Sequence, residues 1–263
     1  MNVALAQLDP EADLQRDCET ACRAIRTRPE FDLVAFPELF LGGYGTEDPG
    51  RNSTTIDSPE LGAVSAACAE SVCAAVIGFT ESLGGGRYAN SAACFGPDGR
   101  LEATYRKTHL FGAGERAAFT AGDSMHVVRL GDRLIGPQIC FDVEFPEPAR
   151  LMTGGGAELL VTISANMEPY AADHRLAARA RALDNRLHHL YVNRVGEESG
   201  HRFTGESCVI DPGGNVLAEL GDEESVLELE FEPAAPAPDT DYLHLRRQDL
   251  KVIVQDNANG GEA

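Results

Sequence analysis

Short apolar runs of strand length alternate with amphipathic stretches of helix length along most of the chain, and this alternation restricts the possible folds more than any other feature. The first half is predicted to have strands at 3–8, 31–36, 74–80, 88–95 and 101–106 and helices at 13–26 and 61–72. The second half is predicted to have strands at 125–130, 133–139, 159–163, 188–195, 204–210, 215–220 and 225–231 and helices at 146–153 and 173–187. Alternating strand–helix units combined with hairpins imply an α/β fold in which helices cover the outer faces of mixed sheets.

The distribution of these elements predicts one domain followed by a tail. No linker interrupts residues 1–231, so the whole chain, 1–263, is expected to be a single domain. Residues 232–263 are expected to form an extended tail, because the segment 233–238 reads PAAPAP. The last residues, 257–263, are polar and rich in glycine, and we expect them to be disordered.

Charge and cysteine usage exclude several classes of partner. The chain carries 42 acidic and 22 basic residues, a net charge of -20 that opposes binding to nucleic acid or anionic membranes. No apolar run approaches the length needed to span a bilayer, and no basic leader follows Met1, which predicts a cytoplasmic location. The seven cysteines are scattered without a C-x-x-C pair, so a reducing compartment fits better than a disulfide framework.

Two further patterns each allow a functional and a structural interpretation. Cys18 and Cys22 lie four residues apart on a predicted helix and could share a metal ion. They also share an apolar face with Leu14 and Ile25, so core packing is the preferred interpretation. The glycines of segment 112–117 imitate a dinucleotide-binding fingerprint, but the preceding strand–helix context and the later acidic residue are missing, so we reject that site.

Three polar residues directly follow predicted strands: Glu38, Lys107 and Cys140. The ends of strands at one side of a sheet are where α/β proteins place their sites. A thiol is a strong nucleophile once a base removes its proton, and a partly desolvated carboxylate can be that base. An ammonium group beside them can stabilise an oxyanion. His109 is another possible base, but its sequence position favours a structural role or a supporting hydrogen bond.

Cys140 has the most informative local context. It lies between the predicted strand 133–139 and a helix that opens with Pro146 and Glu147. A side chain at such a junction is exposed above the sheet, and the backbone N–H groups of the next turn point towards whatever lies over it. The alternative, a small core residue, is the usual state of a lone cysteine.

Glu38, Lys107 and Cys140 lie in three segments: 36–44 (FPELFLGGY), 105–110 (YRKTHL) and 140–147 (CFDVEFPE). These segments resemble the three signature motifs of the nitrilase superfamily of carbon–nitrogen hydrolases, in the family's order and at compatible spacing. Segments 180–185 and 192–196 are similar to the family's later helix and strand, and 241–247 is similar to its terminal motif. The resemblance therefore covers nearly the whole chain.

The resemblance implies a four-layer αββα sandwich with two mixed β-sheets, and a Glu-Lys-Cys triad formed by Glu38, Lys107 and Cys140. It also implies a fourth catalytic-site residue, which here is Glu115; without the resemblance, this residue would be interpreted as a solvated loop charge. Two positions differ from the commoner pattern. Glu144 stands four residues after the cysteine, where many members have arginine, and Asp184 stands where glutamate is common.

Segments 143–147 and 165–170 look most similar to the small aliphatic and stereoselective amidases of the superfamily. The expected reaction is hydrolysis of a small carboxamide to a carboxylic acid and ammonia through a cysteine thioester. Lys107 and the backbone N–H of Phe141 are expected to hold the oxyanion. Tyr44, Asn166 and Met167 are expected to line the substrate pocket, and the resemblance implies that neither a metal nor an organic cofactor is needed.

Three alternatives remain open at this point. A nitrilase or an N-carbamoyl amide hydrolase would use the same Glu-Lys-Cys site on another substrate. A binding protein without activity could have the same fold, and a redox-sensing protein could use Cys140 without amide turnover. The resemblance and the long tail also predict a homodimer or a larger homo-oligomer.

Overall fold

The structure is a computed structural model that describes residues 1–233, 243–247 and 249. Its strands, in chain order, are β1 (Asn2–Gln7), β2 (Leu33–Ala35), β3 (Ala74–Gly84), β4 (Arg87–Phe95), β5 (Leu101–Arg106), β6 (Val128–Leu130), β7 (Arg133–Ile139), β8 (Leu159–Ser164), β9 (His188–Asn193), β10 (Glu197–Glu198), β11 (His201–Arg202), β12 (Cys208–Ile210), β13 (Val216–Glu219) and β14 (Ser225–Glu230). Its α-helices are α1 (Leu14–Arg26), α2 (Pro59–Ser71), α3 (Gly112–Ala118), α4 (Pro146–Gly154) and α5 (Ala171–Asn185). Short 3₁₀ turns cover Cys140–Glu144 and Leu243–Leu245.

Within the described residues, twelve strands form two six-stranded mixed sheets. The first has the order β14-β1-β2-β3-β4-β5 and the second the order β13-β12-β9-β8-β7-β6. In the first sheet β1, β2 and β3 are parallel, and in the second β7, β8 and β9 are parallel. The outer strands of both sheets pair antiparallel. The carboxyl ends of the parallel strands therefore provide one edge of each sheet for a site.

The two sheets pack face to face, with helices on both outer faces. On β1, Val3 and Leu5 contribute to the core shared by the two sheets, whereas Ala4 and Ala6 pack on the side of α1 and α2. Two further hydrophobic clusters lie on the outer face of the second sheet and contain residues of α4 and α5. This confirms the predicted four-layer αββα sandwich. The alternation of side chains along a strand explains how one strand serves two cores.

The cysteines of α1 are part of the core. Cys18 and Cys22 are buried together with Ile25 in the cluster between α1, α2 and the first sheet, and their sulfur atoms lie 4.0 Å apart. Helix α1 begins after Asp13, whose side chain accepts a hydrogen bond from the backbone N–H of Arg16. The core-packing interpretation of Cys18 and Cys22 is therefore confirmed.

Several element boundaries differ from the predictions for reasons that the pairing makes clear. The strand predicted at 125–130 begins only at Val128, because the register with β7 would set residue 126 opposite Pro137, which has no N–H to donate. The strand predicted at 204–210 is only Cys208–Ile210. Thr204 and Gly205 instead donate their backbone N–H groups to loops at the end of the sheet.

The C-terminal predictions fall mostly outside the described residues. This applies to most of the predicted tail, 232–263, to the predicted disorder at 257–263 and to the first two residues of segment 241–247. These expectations stay predictions. In the part of the chain that the structure describes, no helix is long and apolar enough to cross a membrane.

Candidate active site

The side chains of Glu38, Lys107, Glu115 and Cys140 come from four separate segments. Glu38 follows β2, Lys107 follows β5, Glu115 lies on α3 and Cys140 follows β7. All four residues are buried: Glu38 and Lys107 have no exposed surface, Glu115 is 2% exposed and Cys140 is 7% exposed. Charged side chains are almost never fully buried unless they are paired. Each of these buried charges is therefore expected to have a partner.

Lys107 joins the two carboxylates. Its Nζ lies 2.6 Å from Glu38 Oε1 and 2.8 Å from Glu115 Oε1. Burial by itself lowers the pKa of Lys107, but the negative charges of Glu115 and Glu38 outweigh it and hold that pKa well above the usual range. Lys107 is therefore a permanent ammonium that donates hydrogen bonds and does not act as a base.

Glu38 is held by three donors. Asn90 Nδ2 donates to Oε1 at 2.6 Å, beside Lys107, and the backbone N–H of Ala165 donates to Oε2 at 2.8 Å. Its loop rests directly on β3: a Cβ atom at Gly78 would lie 2.4 Å from the carbonyl oxygen of Pro37. Glycine at 78 is thus required for the close approach that brings Glu38 to the site.

Glu115 is fixed at every oxygen. Tyr44 donates its hydroxyl to Oε1 at 2.8 Å, and the backbone N–H of Phe111 donates to Oε2 at 2.8 Å. Burial raises the pKa of Glu115 in spite of the opposing charge of Lys107. The residue is on helix α3 rather than in a loop. Propensity did not predict this helix because Gly112 and Gly114 are poor helix formers.

The position of Tyr44 depends on a buried arginine. The backbone N–H of Tyr44 donates to Glu198 Oε2 at 2.9 Å, and Glu198 pairs with the guanidinium of Arg194. Arg194 is 1% exposed, lies 4.0 Å above the ring of Phe203 and also contacts Asp9 Oδ1 at 3.0 Å. This network links the loop after β9 to the loop that carries Tyr44, and hence to Glu115.

Cys140 begins the 3₁₀ turn after β7, and its φ of 44° lies in the left-handed region that residues other than glycine rarely adopt. Such strain typically marks functional sites. The amide of Phe141 is among the first N–H groups of this turn, which have no partner inside the turn. An amide in this position is available to a developing oxyanion.

One carboxylate, Asp142, holds the turn in place. Its Oδ2 accepts from the Tyr105 hydroxyl at 2.7 Å and from the backbone N–H of Ile139 at 3.1 Å. Its Oδ1 accepts from the Thr108 hydroxyl at 2.8 Å and from the backbone N–H of His109 at 3.0 Å, and the His109 ring nitrogen Nδ1 lies 2.8 Å away. Asp142 thereby ties the Cys140 turn to the Lys107 segment, and His109 has the structural role that its position favoured.

The thiol of Cys140 is protonated at rest. Burial raises the pKa of Cys140 well above its usual range, the charge of Glu38 raises it further, and Lys107 opposes these effects. A thiol in this state is a weak nucleophile and needs a base beside it. Of the neighbouring charges, the Glu38 carboxylate has the largest effect on the pKa of Cys140, so it lies close enough to the sulfur to be considered as that base.

A small cavity, about 10 Å³, opens over Cys140. It is lined by aromatic, polar and apolar side chains: Tyr44, Phe111, Glu115, Phe141, Glu144, Asn166, Met167, Tyr170 and His174. Tyr44, Asn166 and Met167, the predicted pocket residues, are thus in its wall. The sequence did not suggest His174, because only the packing of α5 against the Cys140 turn brings it there.

A larger groove, about 600 Å³, is lined by Arg87, Arg106 and Asp123 among others, but it contains none of the four clustered residues. Within residues 1–233 and the short described stretches that follow, no group of three or more His, Cys, Asp or Glu side chains could hold a metal ion. The cavity over Cys140 is therefore the candidate active site.

Comparison with known proteins identifies the family. Residues 2–234 match the family model of the carbon-nitrogen hydrolases. An (R)-stereoselective amidase from Pseudomonas sp. is 36% identical over 267 residues, which cover 99% of this chain and 96% of the relative. An omega-amidase from Xenopus tropicalis is 30% identical over 240 residues, 87% of each protein.

Solved structures agree with this assignment. The NitN amidase of Nesterenkonia sp. AN1 superposes with a TM-score of 0.84 at 29% identity, covering 94% of this chain and 96% of that one. A glutamate-to-glutamine mutant of that amidase has been solved with the acetamide moiety of fluoroacetamide covalently added at its active-site cysteine, and a cysteine-to-alanine mutant has been solved in complex with butyramide. The predicted superfamily and fold are confirmed: the chain belongs to the carbon–nitrogen hydrolase family, the nitrilase superfamily, and to its amidase branch.

Proposed function

We propose that this amidase hydrolyses small carboxamides to a carboxylic acid and ammonia through a thioester on Cys140. The observation that carries the proposal is the buried cluster in which Lys107 Nζ contacts Glu38 and Glu115 at 2.6 and 2.8 Å. Glu115 joins this cluster to the cavity that contains Cys140, because it lies in the wall of that cavity. A base, a fixed cation and a nucleophile in one enclosed site are the groups that acyl transfer needs.

In the first half of the reaction, Glu38 removes the proton from the Cys140 thiol as the sulfur attacks the amide carbon. The carbonyl oxygen becomes an oxyanion, held by Lys107 Nζ and the backbone N–H of Phe141. When this intermediate collapses, the C–N bond breaks and Glu38 passes its proton to the leaving nitrogen, which departs as ammonia. The acyl group then remains on the sulfur as a thioester.

In the second half, water replaces ammonia beside Glu38. Glu38 takes one proton from the water, whose oxygen attacks the thioester carbon, and the same oxyanion contacts are used again. Collapse breaks the C–S bond, releases the carboxylic acid and returns the proton to Cys140. Glu115, fixed by Tyr44 and Phe111, holds Lys107 in place and borders the space for substrate and water.

One observation supports small amides as the substrates. The similar amidase of Nesterenkonia sp. AN1 binds butyramide as its cysteine-to-alanine mutant.

The substrate panel that tests the proposal contains acetamide, butyramide, the matching nitriles and the matching N-carbamoyl amines, each scored by ammonia release. We expect turnover of the amides and at least about a hundredfold lower rate with the other two classes, a difference of about 2.7 kcal/mol in the barrier. Cys140→Ala should lose all turnover. The matched control is Cys208→Ala, which removes another buried thiol away from the cavity and should keep the activity.

If the nitrile or the N-carbamoyl amine is the faster substrate, the reaction assignment is wrong although the site is correct. If no compound in the panel is hydrolysed by folded enzyme, the small-amide proposal is wrong.

A further inference from the structure

The wall of the Cys140 cavity contains a carboxylate that the reaction described above does not use. Glu144 ends the 3₁₀ turn that Cys140 begins, and its side chain lines the cavity. Among the described residues of the cavity wall, the acidic ones are Glu115 and Glu144, and none is a lysine or an arginine. The wall therefore has two carboxylates and no permanently cationic side chain.

Glu115 already has its partners. Its Oε1 accepts from Lys107 Nζ and from the Tyr44 hydroxyl, and its Oε2 accepts from the backbone N–H of Phe111. The ammonium group of Lys107 compensates the charge of Glu115 from outside the cavity wall. Glu115 is therefore not available to a cationic ligand.

Glu144, by contrast, keeps acceptor sites for a ligand. Its side chain is 32% exposed, and in the part of the chain that the structure describes the one basic side chain at its carboxylate is His174, with Nε2 3.2 Å from Oε1. Arg181 of α5 donates to the backbone carbonyl oxygen of Glu144, and its guanidinium pairs with Asp184. A carboxylate has about four acceptor sites on two oxygens, so one contact at Oε1 leaves room for further donors.

The cavity has a closed end and an open end. Cys140 and Glu115 are buried, whereas Tyr170 is exposed and Glu144 is partly exposed. A substrate whose carbonyl carbon reaches the Cys140 sulfur must extend the rest of its acyl chain away from the closed end. The far end of the acyl chain therefore approaches the part of the wall that contains Glu144.

Aromatic rings form another part of the same wall. Phe111 makes edge-to-face contacts with Phe141 and Tyr170, with ring centroids 5.3 and 5.4 Å apart. An alkyl chain packs well against such rings, and the negative face of an aromatic ring attracts a cation. Rings combined with a carboxylate suit an alkyl chain that ends in an ammonium group, and they oppose one that ends in a carboxylate.

We propose that Glu144 is a specificity-determining residue that selects carboxamides whose acyl chain ends in an ammonium group. The inference rests on the proposed function, because it names the substrate class of the same site. In the bound substrate the amide carbon lies at Cys140, and the ammonium group donates to the Glu144 carboxylate. The acyl transfer itself is unchanged, since the ammonium group takes no part in bond making or breaking.

The test uses two pairs of amides: β-alaninamide with butyramide, and 4-aminobutyramide with pentanamide. The members of a pair have the same number of heavy atoms and differ by an ammonium group in place of a methyl group. Two chain lengths are used because the longer chain reaches farther along the cavity. At neutral pH we expect kcat/KM of the wild type to favour the ammonium member of at least one pair by about tenfold, as a hydrogen bond between charged groups provides.

Glu144→Gln keeps the shape of the side chain and removes its charge. The preference for the ammonium member should therefore fall by about tenfold. The matched control is Glu147→Gln, which removes the same charge from an exposed position in the first turn of α4, outside the cavity wall. Its preference should equal that of the wild type. This control separates a contact in the cavity from the general attraction of an acidic protein for cations.

Wild-type enzyme that hydrolyses butyramide and pentanamide at least as well as their ammonium counterparts would overturn the inference and leave the proposed function intact. This outcome is measured on the wild type alone, so it decides the question even if Glu144→Gln does not fold. An unchanged preference in folded Glu144→Gln would overturn the inference as well, and so would an equal fall in Glu147→Gln. Hydrolysis of none of the four amides by folded wild type would refute the proposed function, and the inference with it.

Discussion

Lys107 contacts two carboxylates with a single nitrogen atom, and this arrangement explains why an ammonium group stands there. Its Nζ lies 2.6 Å from Glu38 and 2.8 Å from Glu115, with no exposed surface on Lys107 or Glu38. Lysine provides a compact point charge with donors that can turn, whereas arginine is planar and wider. In the proposed reaction one of these donors also reaches the oxyanion.

Lys107→Arg should therefore be nearly inactive although the charge is retained. A guanidinium cannot fit between the two carboxylates and still place one donor at the oxyanion, and loss of such a donor costs about 3 kcal/mol in the transition state. We expect kcat/KM for the best amide to fall at least about a hundredfold. Arg106→Lys, at the neighbouring half-exposed position, is the control and should keep its activity.

Retention of more than about a tenth of the wild-type kcat/KM in Lys107→Arg would show that charge alone is sufficient at this position.

At the scale of single residues, Glu38, Lys107 and Cys140 could be placed together from the sequence because each directly follows a strand. Glu115 could be predicted only from the family resemblance, because it lies on a short helix whose glycines are atypical of helices. The position of His174 in the cavity could not be predicted from the sequence. This residue sits on α5, and its place in the cavity depends on the packing of that helix, which no local pattern encodes.

At the scale of elements, the strands buried on both faces were predicted well because their apolar runs are continuous. The predicted strand boundaries were wrong where a residue of the neighbouring strand determines the boundary. The example is Pro137 of β7, which lies opposite the predicted beginning of β6. The 3₁₀ turn Cys140–Glu144 was also not predicted. It is held by five hydrogen-bonding groups around Asp142, four of them from residues 105–109. Because these groups are distant from the turn in the sequence, the residue pattern around Cys140 does not predict the turn.

The packing of α5 on the second sheet should make stability depend on pH. His189 lies under α5, with Nδ1 3.0 Å from the carbonyl oxygen of Ala178 and Nε2 2.7 Å from the Thr162 hydroxyl. Burial lowers the pKa of His189 to about 4, below the usual 6.5. A depressed folded-state pKa means that its contribution to stability is present above the unfolded pKa and is lost as the pH falls towards 4.

Between pH 7 and pH 4.5, urea unfolding should show a loss of about 2–3 kcal/mol in the wild type that is absent in His189→Gln. Glutamine can keep one donor and one acceptor, so the variant should still fold at pH 7. His201→Gln, which changes an exposed histidine, should lose as much stability as the wild type. Equal losses in wild type and His189→Gln would contradict the assignment.

At the scale of the whole molecule, the predicted homodimer or larger assembly remains a prediction, and one surface supports it. Leu151 of α4 and Leu176 and Leu183 of α5 are 64%, 70% and 42% exposed. Neighbouring helices of an outer layer that expose large apolar side chains are typical of protein–protein contact surfaces. With a net charge of -20, association through such a surface has to overcome repulsion between copies.

Light scattering at micromolar concentration should therefore give at least twice the chain mass of 28.1 kDa. Leu176→Lys should shift the distribution towards monomer, because it places a charge in the apolar surface. Leu217→Lys, at a 46% exposed leucine on β13, is the control and should not. A monomer mass for the wild type under these conditions would refute the prediction.

The central claim is that Cys140 carries the acyl group of a small amide during turnover. Rapid chemical quench followed by intact-protein mass spectrometry measures this directly, with a slowly hydrolysed amide and with hydroxylamine as a competitor for water. We predict that wild-type enzyme gains the mass of one acyl group, located on Cys140 by peptide mapping, and that hydroxylamine converts it to a hydroxamate. Glu38→Gln should accumulate far less adduct, since the base that removes the thiol proton is absent. An enzyme that hydrolyses the amide without ever showing the adduct, together with a Cys140→Ala variant that keeps its activity, would contradict the account.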